Sequence, residues 1–216
     1  MAEYTTILWD MDGVLMNSEP QHYRAWERTL RELFGVQSID WELYKPCIGC
    51  KYEVVARIYE DAYGIDIRPK EVHDLYFRYK AEVEAEEGYL LIPGIREVLQ
   101  ELKKRGYRMA VASSSPLSDI ERFVGKSGLS DCFDLLFTGE QVRHSKPAPD
   151  TFLEAAKGLQ AEPSECLVIE DSYNGVLAAK AAGMDCVGFV NPGSGDQDLS
   201  EAGMRISDMR ALLDIL

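Results

Sequence analysis

The chain has 216 residues with 23 Lys and Arg against 37 Asp and Glu, a net charge of −14. Such an acidic surface repels nucleic acid and anionic membranes, so neither is an expected partner, and no apolar run approaches the ~20 residues of a membrane span. The length suits one compact core carrying one inserted subdomain. A small anionic substrate needs local positive charge to overcome the field. The cysteines, at 47, 50, 132, 166 and 186, are odd in number and scattered, which fits reduced thiols rather than a disulfide framework. The opening Met1-Ala2-Glu3-Tyr4 has no basic stretch of the kind that begins a signal peptide. A soluble, cytoplasmic protein is the expectation, as a monomer or weak homo-oligomer.

In chain order, the apolar run Thr6–Trp9 reads as a buried strand. Residues 18–87 then read as helices only, with stripes at Tyr23, Trp26, Leu30 and Leu33, at Val54, Val55, Ile58 and Tyr59, and at Val72, Leu75, Tyr76, Tyr79 and Val83. Pro69 marks a helix start, and Pro93-Gly94 marks the return to a different pattern. From there strands at Arg108–Ala112, Leu135–Thr138, Cys166–Glu170 and Cys186–Val190 alternate with helices, among them the faces Ile95, Val98, Leu99, Leu102 and Phe152, Leu153, Ala156, Leu159. Beyond Gly193 the chain is polar until a short helix around Met209–Leu213. This alternation predicts an α/β fold, a doubly wound parallel sheet with helices on both faces. Ligands in such a sheet sit at the carboxyl ends of the strands. The expected division is a core of residues 1–17 and 88–216 and a helical cap of residues 18–87, inserted over the end of the first strand.

Asp10-Met11-Asp12-Gly13 places two carboxylates directly after that strand. Either they form an Asx-rich turn, or they share one small site, where their repulsion calls for a cation or a shared proton. Three more segments follow predicted strands or precede helices. Ser113-Ser114-Ser115-Pro116 offers hydroxyls and free backbone N–H groups to an anion, or simply caps a helix. Lys146, in His144-Ser145-Lys146-Pro147-Ala148-Pro149, is a point charge suited to phosphate in a loop stiffened by two prolines. Glu170-Asp171 supplies oxygen ligands of the kind Mg²⁺ takes, or an acidic helix start. Cys47-Ile48-Gly49-Cys50 has C-x-x-C spacing without a second pair or a nearby histidine, and reads as loop and packing residues. No glycine-rich dinucleotide fingerprint follows a strand.

Asp10-x-Asp12-Gly13, Ser113, Lys146 in Ser-Lys-Pro-Ala-Pro-Asp, and Glu170-Asp171 resemble, in order and along nearly the whole chain, the four motifs of the haloacid dehalogenase superfamily, in its branch with an α-helical cap after the first strand. The resemblance implies a Rossmann-like core and Mg²⁺ as cofactor. It implies that Asp10 attacks phosphorus to give an aspartyl-phosphate and that Asp12 acts as acid and base. The metal would lie among Asp10, the Asp12 main-chain carbonyl, Glu170 and Asp171, with Ser113, Ser114, Ser115 and Lys146 on the phosphate.

Asn17–Trp26 is similar to the linker and first cap helix of the group containing β-phosphoglucomutase and the small sugar-phosphate phosphatases. That similarity points to His22 and Trp26 as gating and substrate contacts, although a packing role for His22 fits its sequence position equally. The mutases carry an arginine where this chain has Tyr52, so Lys51 is the nearest cation. The mutase lysine that pairs with the linker histidine would fall near residues 78–80, and His73 reads as surface. The function implied is a Mg²⁺-dependent phosphatase of small phosphorylated metabolites, sugar phosphates first. The alternatives are a β-phosphoglucomutase-type mutase and a non-catalytic phosphometabolite-binding protein on the same fold. A cap inserted by two crossings is expected to open and close about Met16–Ser18 and Leu91–Pro93.

Overall fold

The computed structural model describes residues 4–48, 50, 52–67 and 69–216. Six strands, β1 (Thr6–Trp9), β2 (Arg108–Ser113), β3 (Leu135–Thr138), β4 (Cys166–Glu170), β5 (Asp185–Phe189) and β6 (Met204–Ile206), form one sheet in the order β3-β2-β1-β4-β5-β6. Every neighbouring pair is parallel. The reason is visible in β1, where every residue is buried. Successive side chains leave a strand on opposite faces, so a strand with helices on both sides must be apolar throughout. Ile7 and Trp9 enter a cluster with Val98, Met109, Val111 and Phe123, whereas Leu8 enters one with Ala112, Phe152, Val168 and Val176.

The helices divide accordingly. α5 (Ile95–Lys104), α6 (Leu117–Lys126) and α9 (Leu212–Ile215) cover the first face, and α7 (Asp150–Gly158) and α8 (Tyr173–Ala181) the second. Strand order reverses beside β1, which opens a crevice at the carboxyl ends of β1, β2 and β4.

Between β1 and α5 lie α1 (Glu19–Phe34), α2 (Trp41–Tyr44), α3 (Tyr52–Tyr63) and α4 (Lys70–Glu87). They build a separate hydrophobic cluster around Trp26, Leu30, Tyr59, Val72 and Tyr76. The stripe foreseen on α3 is narrower than expected: Val55 and Tyr59 are buried, but Val54 is exposed. Val54 precedes Val55 by about 100° of helix rotation, which carries it off the packed face. The two crossings between the helical layer and the sheet layer pair with each other. Asn17 N–H donates to Leu90 O at 2.8 Å and Ile92 N–H to Leu15 O at 3.0 Å, on either side of an antiparallel bridge between Met16 and Leu91.

Two expectations need correcting. β6 extends the sheet within the segment read as polar tail; it has three residues, of which Met204 and Arg205 are exposed, so no apolar run announces it. The last helix begins later than Met209, with a single tight turn at Met209–Ala211 leading into α9. Among the described residues, no helix is long and apolar enough to cross a membrane.

Candidate active site

Asp10 follows β1 at the sheet's central position, and its N–H donates to Ile169 O at 3.1 Å. Its carboxylate accepts from Lys146 Nζ at 2.5 Å, and the same ammonium reaches Glu170 Oε1 at 2.8 Å and Ala112 O at 3.1 Å. One lysine from the loop before α7 thus ties together the ends of β1, β2 and β4. Asp10, Glu170 and Asp171 offer carboxylate oxygens within 4.8 Å of one another, all buried.

Three carboxylates around one ammonium leave an excess of negative charge in a dry place, and the protonation equilibria register it. Burial above all, then Glu170 and Asp12, push Asp10 up to about 8 against the pull of Lys146. Burial first, then Glu170 and Asp10, hold Asp171 well above the usual carboxylate range. Lys146 is held above its ordinary value: burial opposes its charge, but Asp10 and Glu170 outweigh burial.

This all-oxygen, over-acidic donor set fits a hard divalent cation such as Mg²⁺. Asp10, Glu170 and Asp171 are its candidate ligands. Glu170 Oε2 also accepts from the N–H groups of Asp171 and Ser172 and from Ser172 Oγ, each at 2.9 Å. Glu170 thus holds Lys146 and the turn after β4 as well. Gly175 makes room for it, because a Cβ there would collide with the Glu170 carboxylate.

Asp12 points elsewhere. Its Oδ1 accepts from Ser18 Oγ at 2.5 Å and lies 3.3 Å from His22 Nε2, and its Oδ2 accepts from Ser115 Oγ at 2.6 Å. Burial disfavours the Asp12 anion, but His22 first, then Lys80 and Ser115, overturn that and hold it well below the usual carboxylate range. An ionised Asp12 only accepts, so His22 donates from Nε2, and its Nδ1 lies 2.7 Å from Tyr76 Oη. The two aspartates of one turn therefore face opposite poles, one the acidic trio and one the helical layer.

Above this turn lies a cavity of about 370 Å³ lined by residues of both layers, including Asp10, Asp12, His22, Trp26, Lys80 and Ser113–Ser115. Ser113 Oγ accepts from Ser115 N–H at 3.1 Å, and Ser114 Oγ is buried with no partner among the described residues, a donor and acceptor at the cavity wall. Trp26 is stacked between Tyr52, at 5.2 Å, and Tyr76, at 4.4 Å, so it serves as packed wall as much as contact surface. Lys51 lies outside the described residues. His73 is exposed as expected, yet its ring packs on Phe77 at the cavity's margin.

Sequence reasoning placed one contributor only within residues 78–80 and passed over others. Lys80, 3% exposed, binds Asp119 at 2.6 Å and lies in the cavity wall. Burial opposes its charge, but Asp119, Asp12 and Glu84 raise its pKa. Its signal is position, four residues after Tyr76 on the apolar stripe of α4. Ser194 Oγ donates to Asp171 Oδ2, and Asn191 Nδ2 donates to Gly13 O at 2.9 Å. Both come from a polar turn directly after β5, the same signal that marks Ser113 and Glu170.

Comparison with known proteins agrees with this geometry. Residues 4–183 match the family model described as haloacid dehalogenase-like hydrolase. Hexitol phosphatase B of Escherichia coli is 33% identical over 179 residues, covering 82% of this chain and 79% of that protein. Among solved structures, CbbY from Rhodobacter sphaeroides in complex with xylulose-(1,5)-bisphosphate superposes with a TM-score of 0.84 at 28% identity, covering 95% of each chain. β-Phosphoglucomutase from Clostridium difficile gives 0.83 at 25% identity, over 97% of this chain and 93% of that one. The chain belongs to the haloacid dehalogenase-like hydrolase family.

Proposed function

We propose that this chain is a Mg²⁺-dependent phosphatase of small phosphorylated metabolites, sugar phosphates first, working in the cytoplasm through an aspartyl-phosphate on Asp10. The observation that supports the reading is the divergence of Asp10 and Asp12 in the cavity wall, as expected of a nucleophile and a proton carrier serving one phosphoryl group. Named relatives support the substrate class, since one is a hexitol phosphatase and another structure binds a sugar bisphosphate.

An Asp10 oxygen attacks phosphorus, and the bond from phosphorus to the sugar oxygen breaks. Lys146 and the hydroxyls of Ser113 and Ser114 receive the charge on the transferring group. Asp10 and Asp171, with Glu170 directly or through water, would hold Mg²⁺, which supplies further neutralisation of that charge. Asp12 protonates the departing oxygen. The contacts described above favour its anion, so the acid role requires a substrate oxygen to part Asp12 from His22. In the second half water attacks the aspartyl-phosphate, Asp12 takes its proton, and phosphate leaves with Asp10 restored.

In this reading residues 18–87 form the cap domain, residues 1–17 and 88–216 the catalytic core, and the paired crossings near Met16 and Leu91 the hinge. The test is phosphate release across a panel of sugar phosphates with Mg²⁺ and with chelator. Release that is equal in both conditions, or absent for every ester, overturns the proposal.

The contact between His22 and Asp12 together with the likeness to β-phosphoglucomutase favours one second reading, a phosphosugar mutase. β-Glucose 1-phosphate with a trace of the 1,6-bisphosphate separates the two: glucose 6-phosphate formed without released phosphate establishes the mutase.

A further inference from the structure

The cavity holds a pair of thiols that phosphoryl chemistry does not use. Cys47 and Cys50 both line it, in the C-x-x-C spacing noted above. Cys50 N–H donates to Cys47 O at 3.0 Å. A hydrogen bond from residue i+3 to residue i closes a turn whose end Cα atoms lie within about 7 Å, and a disulfide requires Cα atoms about 4.4–6.8 Å apart. The sulfurs presently face backbone carbonyls, Cys47 Sγ donating to Leu43 O at 3.6 Å and Cys50 Sγ to Pro46 O at 3.5 Å. Rotation about the side-chain bonds is what a bridge needs. Cys50 also touches the core, where Asn174 Nδ2, in the first turn of α8 beyond Asp171, donates to Cys50 Sγ at 3.4 Å.

We propose that Cys47 and Cys50 form a reversible dithiol–disulfide site inside the substrate cavity, oxidised by low-molecular-weight disulfides, and that the bridge weakens substrate binding. Cys50 is the attacking thiol because it is the less buried of the two. Its thiolate bonds to one sulfur of the reagent disulfide, expelling one reagent thiol. The Cys47 thiolate then attacks the Cys50 sulfur, closing the internal bridge and expelling the second reagent thiol. Two protein thiols lose two electrons and two protons, and the reagent disulfide gains both.

Burial pushes Cys47 up to about 12 and raises Cys50 as well, while the Asn174 amide pulls Cys50 the other way. The pair therefore reacts slowly with the cavity closed and faster when it opens. The bridge turns both sulfurs from their carbonyls and takes the acceptor away from Asn174, altering the wall opposite Asp10 and Asp12 without touching them. The effect on binding, though not the bridge, rests on the phosphatase reading.

The test treats the full chain with oxidised glutathione and maps peptides by mass, then measures sugar-phosphate hydrolysis before and after dithiothreitol. Expected are a Cys47–Cys50 bridge and a KM raised about fivefold with little change in kcat, the factor that one hydrogen bond's worth of contact carries, all reversed by the reductant. C47S should retain one glutathione on Cys50, lacking the resolving thiol, and C50S should form no internal bridge. Labelling confined to Cys132, Cys166 or Cys186, no reaction at all, or a bridged enzyme with unchanged KM overturns the proposal. The mass readout needs no turnover, so an inactive enzyme that still bridges counts against the phosphatase reading and not against the dithiol.

Discussion

Gly13 approaches Asp171 so closely that a Cβ on its backbone would collide with the Asp171 carboxylate and with Ser194 Oγ. The residue also sits at φ +83°, a conformation that costs an L-residue about 1–2 kcal/mol. Gly13→Ala is therefore expected to lower stability by at least ~1–2 kcal/mol and to displace Asp171 from the acidic trio. Thermal melts with and without Mg²⁺ read both effects: the variant should melt lower and lose the upward shift that Mg²⁺ gives the wild type. An unchanged Mg²⁺ response would mean that Asp171 is not a ligand.

Asp10 is the point where function and stability oppose each other. It is one of three buried carboxylates, and among the described residues Lys146 is the cation paired with them. Asp10→Asn keeps the shape and removes a charge that burial disfavours, so the metal-free variant should be at least as stable as the wild type. Turnover should fall by ~10⁴-fold or more, since the proposed nucleophile is gone. Denaturant unfolding in chelator checks the first half and phosphate release the second. A clearly destabilised variant would show that the pair with Lys146 outweighs the crowding.

The same crowding sets a pH dependence. Asp10 ionises near 3.9 in an unfolded chain and is pushed up to about 8 in the fold, by burial first. A raised carboxyl contributes stability that is complete below about 4 and drains away as pH climbs through about 8. Metal-free protein should thus lose stability across that window. Mg²⁺, binding the anionic form, should restore it, so the Mg²⁺-induced rise in Tm should be small at pH 5 and large at pH 8. Melts at fixed ionic strength with chelator or Mg²⁺ provide the measurement, and a Mg²⁺ shift that shrinks toward pH 8 contradicts the assignment.

The sheet and the acidic end of the candidate site are legible in the sequence for the same reason. Asp10, Ser113 and Glu170 each end an apolar run, and in a parallel sheet those ends meet. Asn191 and Ser194 obey that rule too, but the strand before them is followed by Pro-Gly, which reads as a plain turn. The cap pole is less legible. Helical stripes locate packing, and Trp26 and Tyr76 are found that way, whereas the resemblance narrows the cap cation only to residues 78–80 and does not single out Lys80 until Asp119, 39 residues along the chain, is known to stand opposite it. Long-range ion pairs have no periodicity to betray them. β6 escapes for a simpler reason, since three residues with two exposed leave no pattern.

Lys80 and Asp119 join the helical layer to the core. Lys80 Nζ lies 2.6 Å from Asp119 and 3.7 Å from Glu84, while Arg122 reaches Glu84 at 3.1 Å and Asp119 at 2.8 Å. Lys80, Glu84 and Asp119 are buried, so removing one partner leaves a buried charge under-compensated, at a cost of up to about 3–5 kcal/mol, whereas removing both together costs far less. Lys80→Met and Asp119→Leu should each destabilise by about that amount, and the double variant by clearly less than the sum. Turnover offers an independent readout, because Lys80 is a cation in the wall of the cavity proposed to take an anionic substrate. Asp119→Leu leaves that charge in the molecule but unanchored, and Lys80→Met deletes it, so both should slow hydrolysis, with Lys80→Met the more severe. Additive stability losses in the double-mutant cycle would show that the layers are held by the paired crossings at Met16 and Leu91 and not by this ion-pair network.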